Sequence, residues 1–288
     1  MKAVLDHIAA KQAVFATHPF FAELKMDRPM EKIASFAPRI AFWVMSFQDI
    51  LRLNEQMVQD PRLKRIARHH RDEDLGHERW FLEDIAKLTG GPLTISALYG
   101  RASATTRDAA YQLITEVYRA SDDILRIVLV LVLESTGHVF FGRTAVLTSA
   151  MTNSPQKLKY FSEFHLHIEQ AHEMFESQME EQIMSIPMND ALQAEALALV
   201  DRAYLAFDAM FHGLRDELAQ RSEKPAAVQP PVHAEPPPPI VTAPAAVAVA
   251  TPAPTLSLTP PPVAIKEPRN EVAEDKAEQS PWPQVAIL

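Results

Sequence analysis

Over roughly the first 220 residues, apolar side chains return at helical spacing, and no segment alternates as a strand would. That one period constrains the chain more than any other feature, because a run of amphipathic helices has to bury its stripes against one another. An all-α bundle of about seven helices is the expected fold, with helices predicted near 3–16, 30–58, 61–88, 106–119, 121–150, 155–184 and 188–220. Break signals support the partition. "HPFF" ends the first helix, Asp60–Pro61 separates the second from the third, and "TGGP" closes the third with a glycine cap. Asn153 to Pro155 and Pro187 to Asp190 punctuate the later ones.

The helical period stops near Arg221. Residues 221–288 contain 16 of the 23 prolines, and proline fixes φ and lacks the donor that helix or sheet needs. The expected organisation is therefore one helical domain, 1–220, followed by a disordered Pro/Ala-rich tail, 221–288. A net charge of −9 without a basic aromatic patch argues against a nucleic-acid partner. The absence of cysteine removes a disulfide scaffold, a thiolate metal site and a cysteine nucleophile. Only seven glycines occur, in no phosphate-cradling pattern. The amino terminus lacks the apolar core of a secretory signal, and the most apolar stretch, "ILRIVLVLVLESTGHVFF", is interrupted by Arg126, Glu134 and His138. A buried helix is expected there rather than a membrane span, and the cytoplasm is the expected compartment.

Three of the predicted helices carry ionisable groups where the pattern calls for core. "RHHRDEDLGHERWFLEDI" offers His70, Glu73 and His77 at i, i+3, i+7. Glu134 and His138 stand i, i+4 among valines and leucines. "HLHIEQAHE" puts His165, Glu169 and His172 at i, i+4, i+7, which projects them from one helix face. Each has an ordinary reading: Glu134 paired with Arg126 or Arg143, the others a hydrogen-bonded histidine or a wet surface stripe. A bare carboxylate in an apolar helix costs several kcal/mol unless it is paired or bound to a cation. Three helices that each offer carboxylate and imidazole at helical spacing point to a sulfur-free metal site. That donor set suits iron or manganese in a helix bundle.

The chain resembles the haem-oxygenase-like superfamily, in its non-haem di-iron oxidase and oxygenase branch. The resemblance begins at "HPFFAEL" (18–24), runs through "HHRDEDLGHERWFLEDIAKL", and ends with Glu134 and the His165, Glu169, His172 pattern, so that it spans most of residues 10–185. It implies six metal ligands: Glu73, His77, Glu134, His165, Glu169 and His172. His70 or Asp74 is the alternative to the Glu73–His77 pair, and His138 would orient a carboxylate from outside the ligand set. It further implies two Fe(II) ions, with manganese as the other candidate metal, and O2 as co-substrate. The activity implied is oxidation of a small organic molecule (an amine, an amino acid or a fatty-acid-like compound) with electrons from an unspecified donor. It also admits a homodimer. Phe42, Trp43, Trp80, Phe140, Phe141 and Phe164 are the candidate pocket lining.

Three other readings compete. A ferritin-like four-helix di-iron protein would use the acid-x2-histidine pairs Asp74/His77 and Glu169/His172, with Glu134 and Glu55. Haem ligation would need His7 or His18. A metal-free scaffold would act through its tail, whose end "SPWPQVAIL" could dock on a partner.

Overall fold

Proline opens three of the helices, where its fixed φ suits the first turn and its missing N–H costs nothing. The structure is a computed structural model that describes residues 1–25, 27–149, 157–170 and 177–223. In chain order the helices are α1 (Lys2–Phe15), α2 (Pro19–Glu23), α3 (Pro29–Met57), α4 (Pro61–Glu73), α5 (His77–Thr89), α6 (Ile95–Tyr99), α7 (Ala104–Arg119), α8 (Asp123–Ser149), α9 (Glu163–Gln170), α10 (Ser177–Met184) and α11 (Asp190–Glu223). A 3-10 turn, Arg101–Ser103, joins α6 to α7, and no strand occurs among the described residues. The predicted tail lies outside the described residues from 224 onward.

Capping side chains settle several of the starts. The Asp60 carboxylate accepts from Arg62 N at 2.7 Å to begin α4. Asp123, in the first turn of α8, accepts from Gln59 N and Asp60 N, both at 2.7 Å, and so ties the α3–α4 junction to the head of α8.

The core forms around α8. All of residues 125–136 are buried, and α8 packs against α1, α3, α4, α7, α9 and α11. It is the one described helix long and apolar enough to cross a bilayer, and 78% of its apolar stretch is buried within the bundle. Each fully buried Val or Leu adds roughly 1.5–3 kcal/mol, which makes this helix the main apolar contribution to the bundle. α11 lays Leu199, Ala203, Phe207, Met210 and Leu214 along its inner face, and all five are buried. Gly213 lets α11 approach the head of α7 closely, since a Cβ there would lie 2.3 Å from Thr105 Oγ1.

One predicted helix is divided, and another starts later than expected. The segment 61–88 breaks at Asp74–Gly76, where Gly76 takes φ +100°, and becomes α4 and α5. Residues 157–162 of the segment 155–184 are turns, with α9 starting at Glu163 and α10 at Ser177. Among the described residues nine helices have eight residues or more, against seven expected, alongside the five-residue α2 and α6.

Candidate metal centre

The break after α4 creates the site. Asp74 caps α4, its N–H donating to His70 O at 3.2 Å, and its carbonyl accepts from Gln48 Nε2 of α3 at 2.6 Å. Leu75 points outward, Gly76 reverses the backbone, and His77 restarts the chain as the first residue of α5. In an unbroken helix His77 would lie two turns beyond His70 on the same rod. Here Asp74 and His77 turn inward side by side, with His77 Nδ1 3.4 Å from Asp74 Oδ1.

Four elements contribute to one buried group. His70, fully buried at the end of α4, lies between two carboxylates: its Nδ1 is 2.7 Å from Glu134 Oε1 on α8 and its Nε2 is 3.4 Å from Asp74 Oδ2. His165 of α9, 1% exposed, brings its Nε2 to 3.1 Å from His77 Nδ1. Glu134 therefore pairs with His70 and not with either arginine. Arg126 bonds Asp123 at 3.1 Å and the Ala120 carbonyl at 2.8 Å, and Arg143 bonds the Ala16 carbonyl at 3.2 Å.

Proton bookkeeping shows what this group can hold. The His165 Nδ1 lies 2.8 Å from the Tyr160 carbonyl, which only accepts, so Nδ1 carries the ring proton and Nε2 presents a lone pair to the group. A neutral His70 donates from one ring nitrogen only, which leaves a lone pair facing a carboxylate on the other side. Asp74 Oδ2 is buried without a hydrogen bond among the described residues. Lone pairs directed at one another in a buried site call for a donor or a cation between them, whether a water, a proton or a metal ion. Sulfur-free nitrogen and oxygen donors of this kind suit several divalent metals. His70, Asp74 and Glu134 each offer an atom within 4.8 Å of the others, the spacing of ligands to a shared ion.

A second histidine–carboxylate group, His18, Asp208 and His212, has the same spacing, with both nitrogens of the His18 ring engaged by neighbours and His212 Nδ1 also 2.9 Å from the Asp208 carbonyl. Phe20 N–H donates to His18 Nδ1 at 3.1 Å, so the proton of the neutral ring sits on Nε2, which meets His212 Nδ1 at 2.8 Å. His18 is an N-cap for α2 and a tie to α11, and its Nε2 is not open to a metal or a haem. His7, the other residue considered for haem, is bonded to Asp201 at 2.8 Å.

Of the residues singled out from the sequence, His77, Glu134 and His165 fall in the buried group, as do the two alternatives, His70 and Asp74. Glu73 stands beside it on α4, half-buried, 3.3 Å from His69. His138 is exposed on α8. The Glu169 side chain and His172 lie outside the described residues. Glu55, named for the ferritin-like set, is buried against Arg68 at 2.9 Å and Arg71. Sequence reasoning missed Gln48 and Tyr160, whose part is played through backbone carbonyls or amides and leaves no motif.

A cavity with about 60 Å³ of water-sized space adjoins the group. Its lining joins Asp74, His77, Glu78, Glu134 and His165 to an apolar arm that includes Trp43, Phe47, Phe140, Phe207 and Met210. Of the expected lining, Trp43, Phe140 and Phe141 are present. Phe42 packs against Tyr99 and Tyr111 instead, Phe164 is half-exposed, and Trp80 stacks on His77 with centroids 4.5 Å apart. Neither a known family model nor a curated protein sequence matches the chain.

Proposed function

We propose that the protein is a non-haem di-iron oxidoreductase of the haem-oxygenase-like type, which activates O2 to oxidise a small organic molecule. The observation that carries this reading is the convergence of three imidazoles and two carboxylates, buried together beside an apolar cavity. His70, Asp74, His77, Glu134 and His165 would hold the metal, with Glu73, Glu169 and His172 completing the set that the resemblance implies. Ferrous iron held there would supply the redox chemistry for reductive activation of O2, with an electron donor restoring it. The chain's own residues hold lone pairs toward the site from fixed rings, keep it dry through Phe140, Phe141 and Tyr160, and present the substrate through the apolar arm. A ferritin-like arrangement would draw on Glu55, which is committed to two arginines.

The cavity narrows the substrate class. At roughly 10–15 Å³ of such space per water-sized group, it admits about four to six such groups. Its lining includes Asp74, Glu78 and Glu134 and no lysine or arginine among the described residues. An anionic chain such as a fatty acid would meet carboxylates, whereas a short neutral or amine-bearing molecule would not be repelled.

The test is to load the metal-free protein with Fe(II) without air, count bound iron, and then follow oxygen uptake. About two irons per chain are expected, with oxygen consumed, and with both lost in a Glu134→Ala variant that keeps its helix content. A folded protein that binds no iron and consumes no oxygen would overturn the reading.

A further inference from the structure

The carboxylate of Asp84 is completely buried, lies outside the metal-ligand set, and is occupied with backbone. Lys159 N–H lies 2.9 Å from both of its oxygens, while Tyr160 N–H and Phe161 N–H reach Oδ2 at 2.8 and 3.4 Å. Three successive amides converging on one carboxylate form an anion-binding nest. Lys87 adds an ammonium 3.3 Å from Asp84 Oδ1 and binds the Lys157 carbonyl at 2.7 Å. The turn at 157–162 is thereby held to α5 at both ends.

The held turn leads directly to the site. The residue whose N–H is gripped, Tyr160, is the one whose carbonyl accepts from His165 Nδ1. His77, Phe81 and Asp84 are spaced i, i+4, i+7 on α5, so one face of that helix addresses the whole segment. His77 meets the His165 ring, Phe81 packs on Tyr160 and Phe161 with centroids 5.2 and 5.9 Å apart, and Asp84 binds their backbone.

We infer that Asp84 is a positioning residue for His165. By holding the N–H groups of Tyr160 and Phe161, the second on the same peptide as the Tyr160 carbonyl, it aims that carbonyl, which selects the Nδ1–H form of the His165 ring and leaves the Nε2 lone pair facing His77 and the centre. The metal consequence rests on the proposed function; the tautomer consequence does not. Partners of this kind, once removed, commonly weaken metal binding 10–100-fold.

The experiment uses the full-length chain with Asp84→Asn, in which an amide NH2 faces the three backbone donors. Histidine-ring 15N NMR of the metal-free protein reads the tautomer, and titration with Co2+ reads the affinity. The wild type is expected to show His165 as Nδ1–H, and Asp84→Asn to show a mixture with Co2+ held about 10–100-fold more weakly. In a His165→Ala background the Asp84 change should cost no further affinity, whereas a clamp that merely stabilises the fold would add its own loss. An unaltered His165 ring in Asp84→Asn, or additive losses in the double variant, overturns the assignment. If the wild type binds no Co2+ while the tautomer still follows Asp84, positioning stands and the metal reading falls. Should Asp84→Asn fail to fold, the milder Lys87→Met is expected to shift the same ring in part, and an unchanged ring there also refutes the idea.

Discussion

His70 carries the sharpest electrostatic problem at the scale of single residues. Its ring lies between Glu134 and Asp74 in a place closed to water, and one imidazole cannot satisfy both carboxylates while neutral. Removing one member of such a buried set leaves the rest uncompensated. Glu134→Ala is expected to lower metal-free stability by about 3–5 kcal/mol in a urea denaturation series. Glu134→Gln keeps an oxygen to accept from His70 Nδ1, so its stability should lie within about 1.5 kcal/mol of the wild type. Both variants should lose Fe(II). Equal stability for the Ala and Gln variants would show that the His70–Glu134 contact is not what holds this part of the core. Leu75, by contrast, is exposed at the turn, and polar replacements there should leave stability within roughly 0.5 kcal/mol.

Among the elements, the α4–α5 break matters most for the site. Gly76 sits at φ +100°, a conformation that side chains resist, though a Cβ there would touch nothing within 4 Å. Gly76→Ala should therefore cost about 1–3 kcal/mol of backbone strain alone, and it should weaken metal binding as well, because relaxing the turn re-aims the head of α5 and shifts His77 from its contact with His165. Chemical denaturation and Co2+ titration read the two effects separately. The same break shows what the sequence could disclose. Helix type, most boundaries, the buried character of residues 123–149 and the site histidines at 77 and 165 follow from periodicity and spacing. The break does not, because a lone glycine within a helical pattern is usually carried through without interruption. Along one rod His70, Glu73 and His77 (i, i+3, i+7) and His70, Asp74 and His77 (i, i+4, i+7) share a face equally, so spacing does not separate the two acids, and it is the resemblance that puts Glu73 ahead of Asp74. The turn at 157–162 escaped notice for a related reason: its determinant, Asp84, lies over seventy residues earlier in the chain.

For the whole molecule, His18 joins the first and last helical segments through α2 and α11. Its pKa lies below the ordinary 6.5, chiefly because burial disfavours the imidazolium, with His212 also lowering it and Asp208 pulling it up. The unfolded chain then protonates first as the solution is acidified. This residue's contribution is complete above about pH 6.5 and is lost as pH falls through the lower native value. Thermal melts of wild type and His18→Asn between pH 7.5 and 5 should converge toward acid, because asparagine retains an oxygen for the Phe20 amide without a titrating ring. Parallel curves would assign the acid sensitivity elsewhere. Finally, the stacking of Trp80 on His77 and the placement of Trp43 in the cavity wall have an optical consequence. Two of the chain's three tryptophans border the site, so their near-ultraviolet emission is a native reporter of it. A cation taken up by His77 quenches the first indole, and a molecule entering the apolar arm changes the surroundings of the second. The two events are thereby separable without any label.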